Sequence, residues 1–306
     1  MRLRISGDAA FRWITQGFAV LAFFGFLAMI GLLWHESKPA IERFGWGFLT
    51  SAEWNPVFER FGALIPIVGT LLTTAIAILV AAPLGFGVAL FLAELAPNWL
   101  RQPVGVAIEL LAAVPSIVYG MWGLFTFAPV MAETLQPWLA EHFGFLPLFS
   151  GPPMGVGILT AGLVLALMIL PFIASVMRDV FLMVPQNLKE AAYGMGATTW
   201  EVVRGVMLPY GARGIIGALF LGIGRALGET MAVTFVIGNA YELSISLFAP
   251  GNSIASTIAN EFTEADSDLH LAALIELGLV LFAITFLTLA LAQWWIARSA
   301  RQGGAQ

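Results

Sequence analysis

Val184-Pro-Gln-Asn-Leu-Lys-Glu-Ala-Ala-Tyr-Gly-Met-Gly-Ala-Thr-Thr-Trp-Glu-Val-Val-Arg-Gly-Val-Met-Leu-Pro209 is a polar interruption between two apolar runs in the second half of the chain. Its punctuation has a physical meaning. Pro185 suits a first helical position, Gly194 can supply a left-handed C-terminal cap, and Thr198 with Glu201 forms a capping box that starts another helix ahead of Pro209. The spacing predicts a helix, a glycine turn and a second helix. Taken alone, such a compact amphipathic element also describes a helix resting on lipid headgroups, so its flanks must decide.

Those flanks are built for a bilayer. The 306 residues are 59% hydrophobic and 11% charged, where a soluble domain is about 25% charged. A hydrocarbon core about 30 Å thick needs about 20 apolar residues per helix. Six runs qualify: Trp13 to Leu33, Leu64 to Leu92, Val104 to Val130, Val156 to Met177, Gly211 to Gly238 and Leu269 to Ile296. The expected fold is therefore all-α and transmembrane, one six-helix domain over residues 1–306 with its principal cytoplasmic loop at 185–209. The first run is longer than a 7–15-residue signal core and lacks an A-x-A cleavage site, so it reads as a retained helix.

Loop charges orient the bundle. Arg2, Arg4, Arg12, Arg101, Arg178, Lys189, Arg204, Arg213, Arg298 and Arg301 fall on one side; Lys38, Arg43 and Arg60 fall on the other, diluted by Glu36, Glu42, Glu53 and Glu59. The positive-inside rule places both termini in the cytoplasm. Residues 127–155 and 239–268 carry no Lys or Arg but do carry Glu133, Glu141, Glu242, Glu261, Glu264, Asp266 and Asp268, as translocated loops allow. The basic residues form no patch, so the net charge of −5 offers nothing to nucleic acid.

Several chemistries lack their residues. With no cysteine there is no disulfide, thiol nucleophile or thiolate metal site. His35, His142 and His270 lie far apart at membrane edges, as boundary histidines rather than metal ligands. Neither lysine, Lys38 or Lys189, ends a glycine-rich phosphate loop. No catalytic residues, cofactor or metal site are expected in this chain. Gly222, Gly224 and Gly228 sit inside an apolar helix with no preceding strand, which argues against a dinucleotide fold; Gly224 and Gly228 instead form a GxxxG pair for close helix packing.

The fifth run carries the candidate site. It places Arg225 near mid-membrane and Glu229 one turn outward, where an unpaired charge costs at least about 2.5–3.5 kcal/mol. Residues four apart share a helix face, so the two are expected to neutralise each other, either as a packing lock or beside an anion pathway. Arginine suits the latter because its planar fork of donors matches an oxyanion. Pro115 should break bonding in the third run, with Ser116 and Tyr119 supplying polar groups at the opening or merely accompanying a packing kink. Glu109 and Glu276 receive no role.

Glu190, Ala191, Ala192, Gly196, Leu208 and Pro209, with Val206 in place of an isoleucine, resemble the EAA loop of ABC importer permeases. The resemblance implies a type I six-helix permease whose loop docks on a separate ATP-binding subunit, with Gly196 permitting the turn and Ala191 and Ala192 keeping the contact surface flat. Gly224 to Val233, Ala113 to Gly123 and Trp46 to Ser51 are similar to the phosphate-specific permeases of the C type, whose Arg and Glu correspond to Arg225 and Glu229. That likeness implies an inner-membrane subunit with Arg225, Glu229, Ser116 and Tyr119 on the phosphate path. It also implies a homologous second permease, two ATPase copies holding ATP and Mg, an external phosphate-binding protein, and surrounding lipid. The alternatives are another oxyanion, sulfate or molybdate, or a proton-coupled carrier relaying through Glu229 with Glu109 or Glu276, against which the EAA loop argues.

Overall fold

The computed structural model describes residues 7–303; Arg2 and Arg4, counted above among the inner charges, lie outside the described residues, as does the side chain of Arg301. In lipid an apolar segment must satisfy its backbone internally, and the long apolar runs are accordingly helical. They are α1 (Gly7–Phe44), α2 (Leu64–Leu90), α3 (Asn98–Ala112), α4 (Ser116–Phe143) and α5 (Ile158–Leu182). There follow α6 (Gln186–Gly194), α7 (Thr199–Leu227), the single turn α8 (Met231–Thr234), α9 (Ile254–Glu261) and α10 (Asp268–Gly303). Among the described residues five helices are long and apolar enough to cross a bilayer, six crossings if the bent pair α3–α4 counts as one.

The helices differ sharply in what surrounds them. In the most apolar window of α5, 72% is buried, against 0% for α1. Thus α5 is the axle: α2 lies along it and α7 and α3 flank it, while α1 packs on α10 at the edge. Leu165, Met168, Ile169, Ile173 and Met177 of α5 form the main core with Ala77 and Ala81 of α2 and Ala218 of α7. A second core, of Ala40, Phe48, Trp54, Phe61 and Leu277, gathers at the opposite end of α1 from its N-terminus.

Three expected spans are corrected. The first does not stop at Leu33; it continues to Phe44 because Ala40 and Phe44 pack into that second core. The third is not one kinked helix over Val104 to Val130 but two helices bent by 89°, since Pro115 can neither donate nor keep its predecessor helical. The fifth is not helical from Gly211 to Gly238. It begins at Thr199 and stops at Leu227, where Gly228 (φ −91°, ψ 4°) leaves the helical region.

Candidate functional site

The loop at 185–209 folds into an elbow closed by its own backbone. Pro185 is the cap before α6 rather than its first residue. The left-handed position is Gly196 (φ 88°), not Gly194 as expected. The helix runs through Gly194 and Met195 caps it, before Gly196 N–H bonds Tyr193 O at 2.9 Å and Ala197 N–H bonds Ala192 O at 3.1 Å, the pairing of a Schellman turn. Thr198 then starts α7 through a complete capping box, its N–H donating to Glu201 Oε2 at 2.7 Å and its hydroxyl accepting from Glu201 N–H at 3.4 Å.

No break follows at Pro209. Residues Val203–Met207 form a π-helical stretch that passes directly into Leu208–Leu227. A proline ring collides with the carbonyl four residues back in an α-helix, and widening the preceding turn relieves that collision without ending the helix. Val206 and Leu208 seat the stretch on the main core. Glu190 and Ala191 are exposed. Ala192, expected beside Ala191 on a docking face, points inward at 7% exposure.

One contact here escaped the sequence reading. Lys189 Nζ lies 3.0 Å from Glu94 Oε2, with side chains 10% and 12% exposed, and ties α6 to the end of the second crossing. The Tyr193 hydroxyl approaches the same carboxylate at 3.5 Å.

The membrane arginine stands where two crossings break. Arg225 is two residues from the end of α7, with its guanidinium 5.9 Å from the ring centroid of Phe172 near the middle of α5. Tyr119 of α4 lies within its electrostatic reach. The Tyr119 hydroxyl donates to Leu111 O at 3.0 Å, bridging the gap that Pro115 opens, and Ser116 begins α4 three residues earlier. The two breaks meet at Gly120, where an added Cβ would stand 2.9 Å from Met231 O and 3.2 Å from Ala232 Cα. Non-helical backbone at this depth survives because protein surrounds it: Ala232, Val233, Val236 and Ile237 are buried.

The expected Arg225–Glu229 ion pair is absent from this arrangement. Gly228 ends the helix between them, so the i, i+4 geometry never forms, and Glu229 Oε1 instead accepts from Ala232 N–H at 3.2 Å. The expected GxxxG contact also fails. A Cβ on Gly224 would meet only Leu289 at 3.8 Å, and one on Gly228 only its own helix. The glycines of α7 that admit α5 closely are Gly211 and Gly214, with Val180 at 3.0 Å and 2.6 Å from the added Cβ, and Gly222, with Ile173 at 2.7 Å.

Two further charged groups are engaged elsewhere. Glu109 of α3 binds Arg178 of α5 at 2.7 Å. Glu261 gathers Trp54 Nε1 at 2.8 Å, His270 Nε2 at 2.9 Å and the Tyr241 hydroxyl. This cluster bridges four separate segments, and nothing local in any of them announces it.

Spanning helices, two of them broken around one arginine, with a capped elbow joined to one of the broken pair, define a membrane-embedded transport subunit. The profile of binding-protein-dependent transport system inner membrane components matches residues 83–301. The chain is 57% identical to the phosphate transport system permease protein PstC of Pasteurella multocida, over 97% of this chain and 94% of that one. It is 55% identical to PstC of Haemophilus influenzae, over 97% and 95%. The chain belongs to this family of inner-membrane transport components, in its PstC branch. A bacterial alginate ABC transporter crystallised with its alginate-loaded periplasmic protein shares the fold, with a TM-score of 0.59 at 15% identity over 93% of this chain and 94% of that one.

Proposed function

We propose that the chain is one of two membrane-spanning subunits of an ATP-driven importer of inorganic phosphate. In this reading both termini face the cytoplasm, a homologous permease lies alongside, and two copies of an ATP-binding subunit hold ATP and Mg and dock at the elbow. An external phosphate-binding protein delivers cargo to the acidic outer loops. The name and identity of the curated relatives support phosphate, and the charge asymmetry of the loops supports the orientation.

The observation that carries the mechanism is that α7 runs unbroken from the elbow at Thr199 to Leu227, two residues beyond Arg225. A push on the exposed Glu190–Ala191 face is therefore delivered to the guanidinium by a rigid rod of about 40 Å. Because Glu229 does not occupy Arg225, its donors are free to meet an oxyanion. Gly196, Thr198, Leu208 and Pro209 shape and seat the elbow rather than touch cargo.

The test is phosphate uptake by the assembled complex in proteoliposomes. Uptake is expected to require ATP, to survive collapse of the proton gradient, and to resist competition by sulfate and molybdate. Arg225→Gln is expected to lower it about tenfold or more, the worth of one charged hydrogen bond. Wild-type uptake in that variant removes Arg225 from the path; competition by sulfate reassigns the cargo.

A further inference from the structure

Glu276 of α10 is 6% exposed, and its Oε2 has no hydrogen-bond partner. No described basic side chain forms an ion pair with it, and none lines the groove that it faces. A buried carboxylate is retained in an apolar wall only at a cost, unless something supplies a donor.

Glu276 lines a groove of about 340 Å³ between α1 and α10, with Trp34 and Trp46 at one side and Leu279, Val280 and Ala283 below. Its depth follows from the register of the antiparallel helices. Phe26 and Phe282 meet at 5.3 Å; from that level Trp34 lies ~12 Å up α1 and Glu276 ~9 Å up α10 at 1.5 Å per residue. The carboxylate is thus level with a tryptophan that is 60% exposed, the residue type that marks the headgroup layer.

We propose that this groove binds a phospholipid with a primary-ammonium head group, the ammonium donating to Glu276 and an acyl chain following Leu279, Val280 and Ala283. Charge complementarity selects the occupant. A trimethylammonium head has no N–H to offer the carboxylate, and an anionic head group is repelled by it. This site is separate from the Arg225 path and stands whatever the cargo is.

The experiment is native mass spectrometry of the intact complex, delipidated in mild detergent and offered dioleoyl phosphatidylethanolamine, phosphatidylcholine or phosphatidylglycerol. Phosphatidylethanolamine is expected to be retained about tenfold over the other two, and Glu276→Gln, which keeps the side-chain volume, to abolish that preference. Ala283→Trp, which fills the groove from its apolar end, should lower retention of phosphatidylethanolamine while leaving Glu276 in place. Equal retention of the three lipids, retention of none, a preference that survives Glu276→Gln, or a cross-link from Glu276 to a lysine of a partner subunit overturns the proposal.

Discussion

Pro115 takes a backbone donor out of the crossing that α3 and α4 share, and the carbonyl it strands, Leu111 O, is served by Val114 N–H at 3.2 Å and by the Tyr119 hydroxyl at 3.0 Å. Tyr119→Phe keeps the ring and removes one of these donors, so it should destabilise the protein by about 1 kcal/mol, read as a lower thermal unfolding midpoint in detergent; an unchanged midpoint would mean that the bond contributes nothing. Tyr241, in the loop beyond α8, offers a pH test. Burial and its bond to Glu261 push its pKa above the ordinary 10.0. A proton held more tightly in the folded than in the unfolded state leaves stability unchanged below about pH 10 and erodes it as pH rises further. The wild-type midpoint should therefore fall more steeply between pH 10 and 11.5 than that of Tyr241→Phe, and parallel curves would refute the assignment. Arg225 and Glu229 show what single residues disclose. Their presence in an apolar run marks them as a packing lock or a pathway pair, since charge in lipid needs a reason. Their pairing was misjudged because Gly224 and Gly228 look alike in sequence, and only the packing of α8 on Gly120 makes the second of them a helix end.

At the scale of elements, legibility followed locality. The Thr198–Glu201 capping box could be read because all its atoms lie within four residues. Gly194 and Gly196 form a pair whose sequence leaves open which one takes positive φ, and the structure gives it to Gly196. A sequence does not show that a π-helical stretch will carry the helix through Pro209. The Lys189–Glu94 bond joins residues 95 apart, so no single-sequence pattern carries it. That bond makes its own prediction. Removing one member of a largely buried pair strands the other charge and costs about 3–5 kcal/mol, here concentrated on the seat of α6. Lys189→Ala is expected to leave ATP hydrolysis by the complex measurable while phosphate uptake falls severalfold, because the elbow no longer moves with the second crossing. The exchange Lys189→Glu with Glu94→Lys should recover part of that loss. Equal loss of hydrolysis and uptake, with no recovery in the exchange, would make the pair a folding contact only.

For the whole molecule, the decisive feature is an open face. Arg225 is exposed, and Val118, Trp122 and Leu221 are exposed beside it or on the elements that carry it. An apolar groove of about 510 Å³ runs between the α3–α4 bend and α5 past Tyr119 and Trp122. Lipid would cover Val118 and Trp122 without penalty, but a guanidinium facing hydrocarbon is worth avoiding by at least about 2.5–3.5 kcal/mol. The energetics therefore keep hydrocarbon off Arg225, leaving a water-filled cavity or protein to face it, and the proposed second permease is what the following test probes. The chain contains no cysteine, so one introduced thiol reports cleanly. Val118→Cys, on α4 beside the break, is expected to form cross-links to a second permease chain in membranes that contain the assembled complex. The same cysteine should react readily with a small thiol reagent when this chain is expressed alone. If it cross-links to nothing, or labels equally in both cases, then Arg225 faces lipid or water and the shared pathway is wrong.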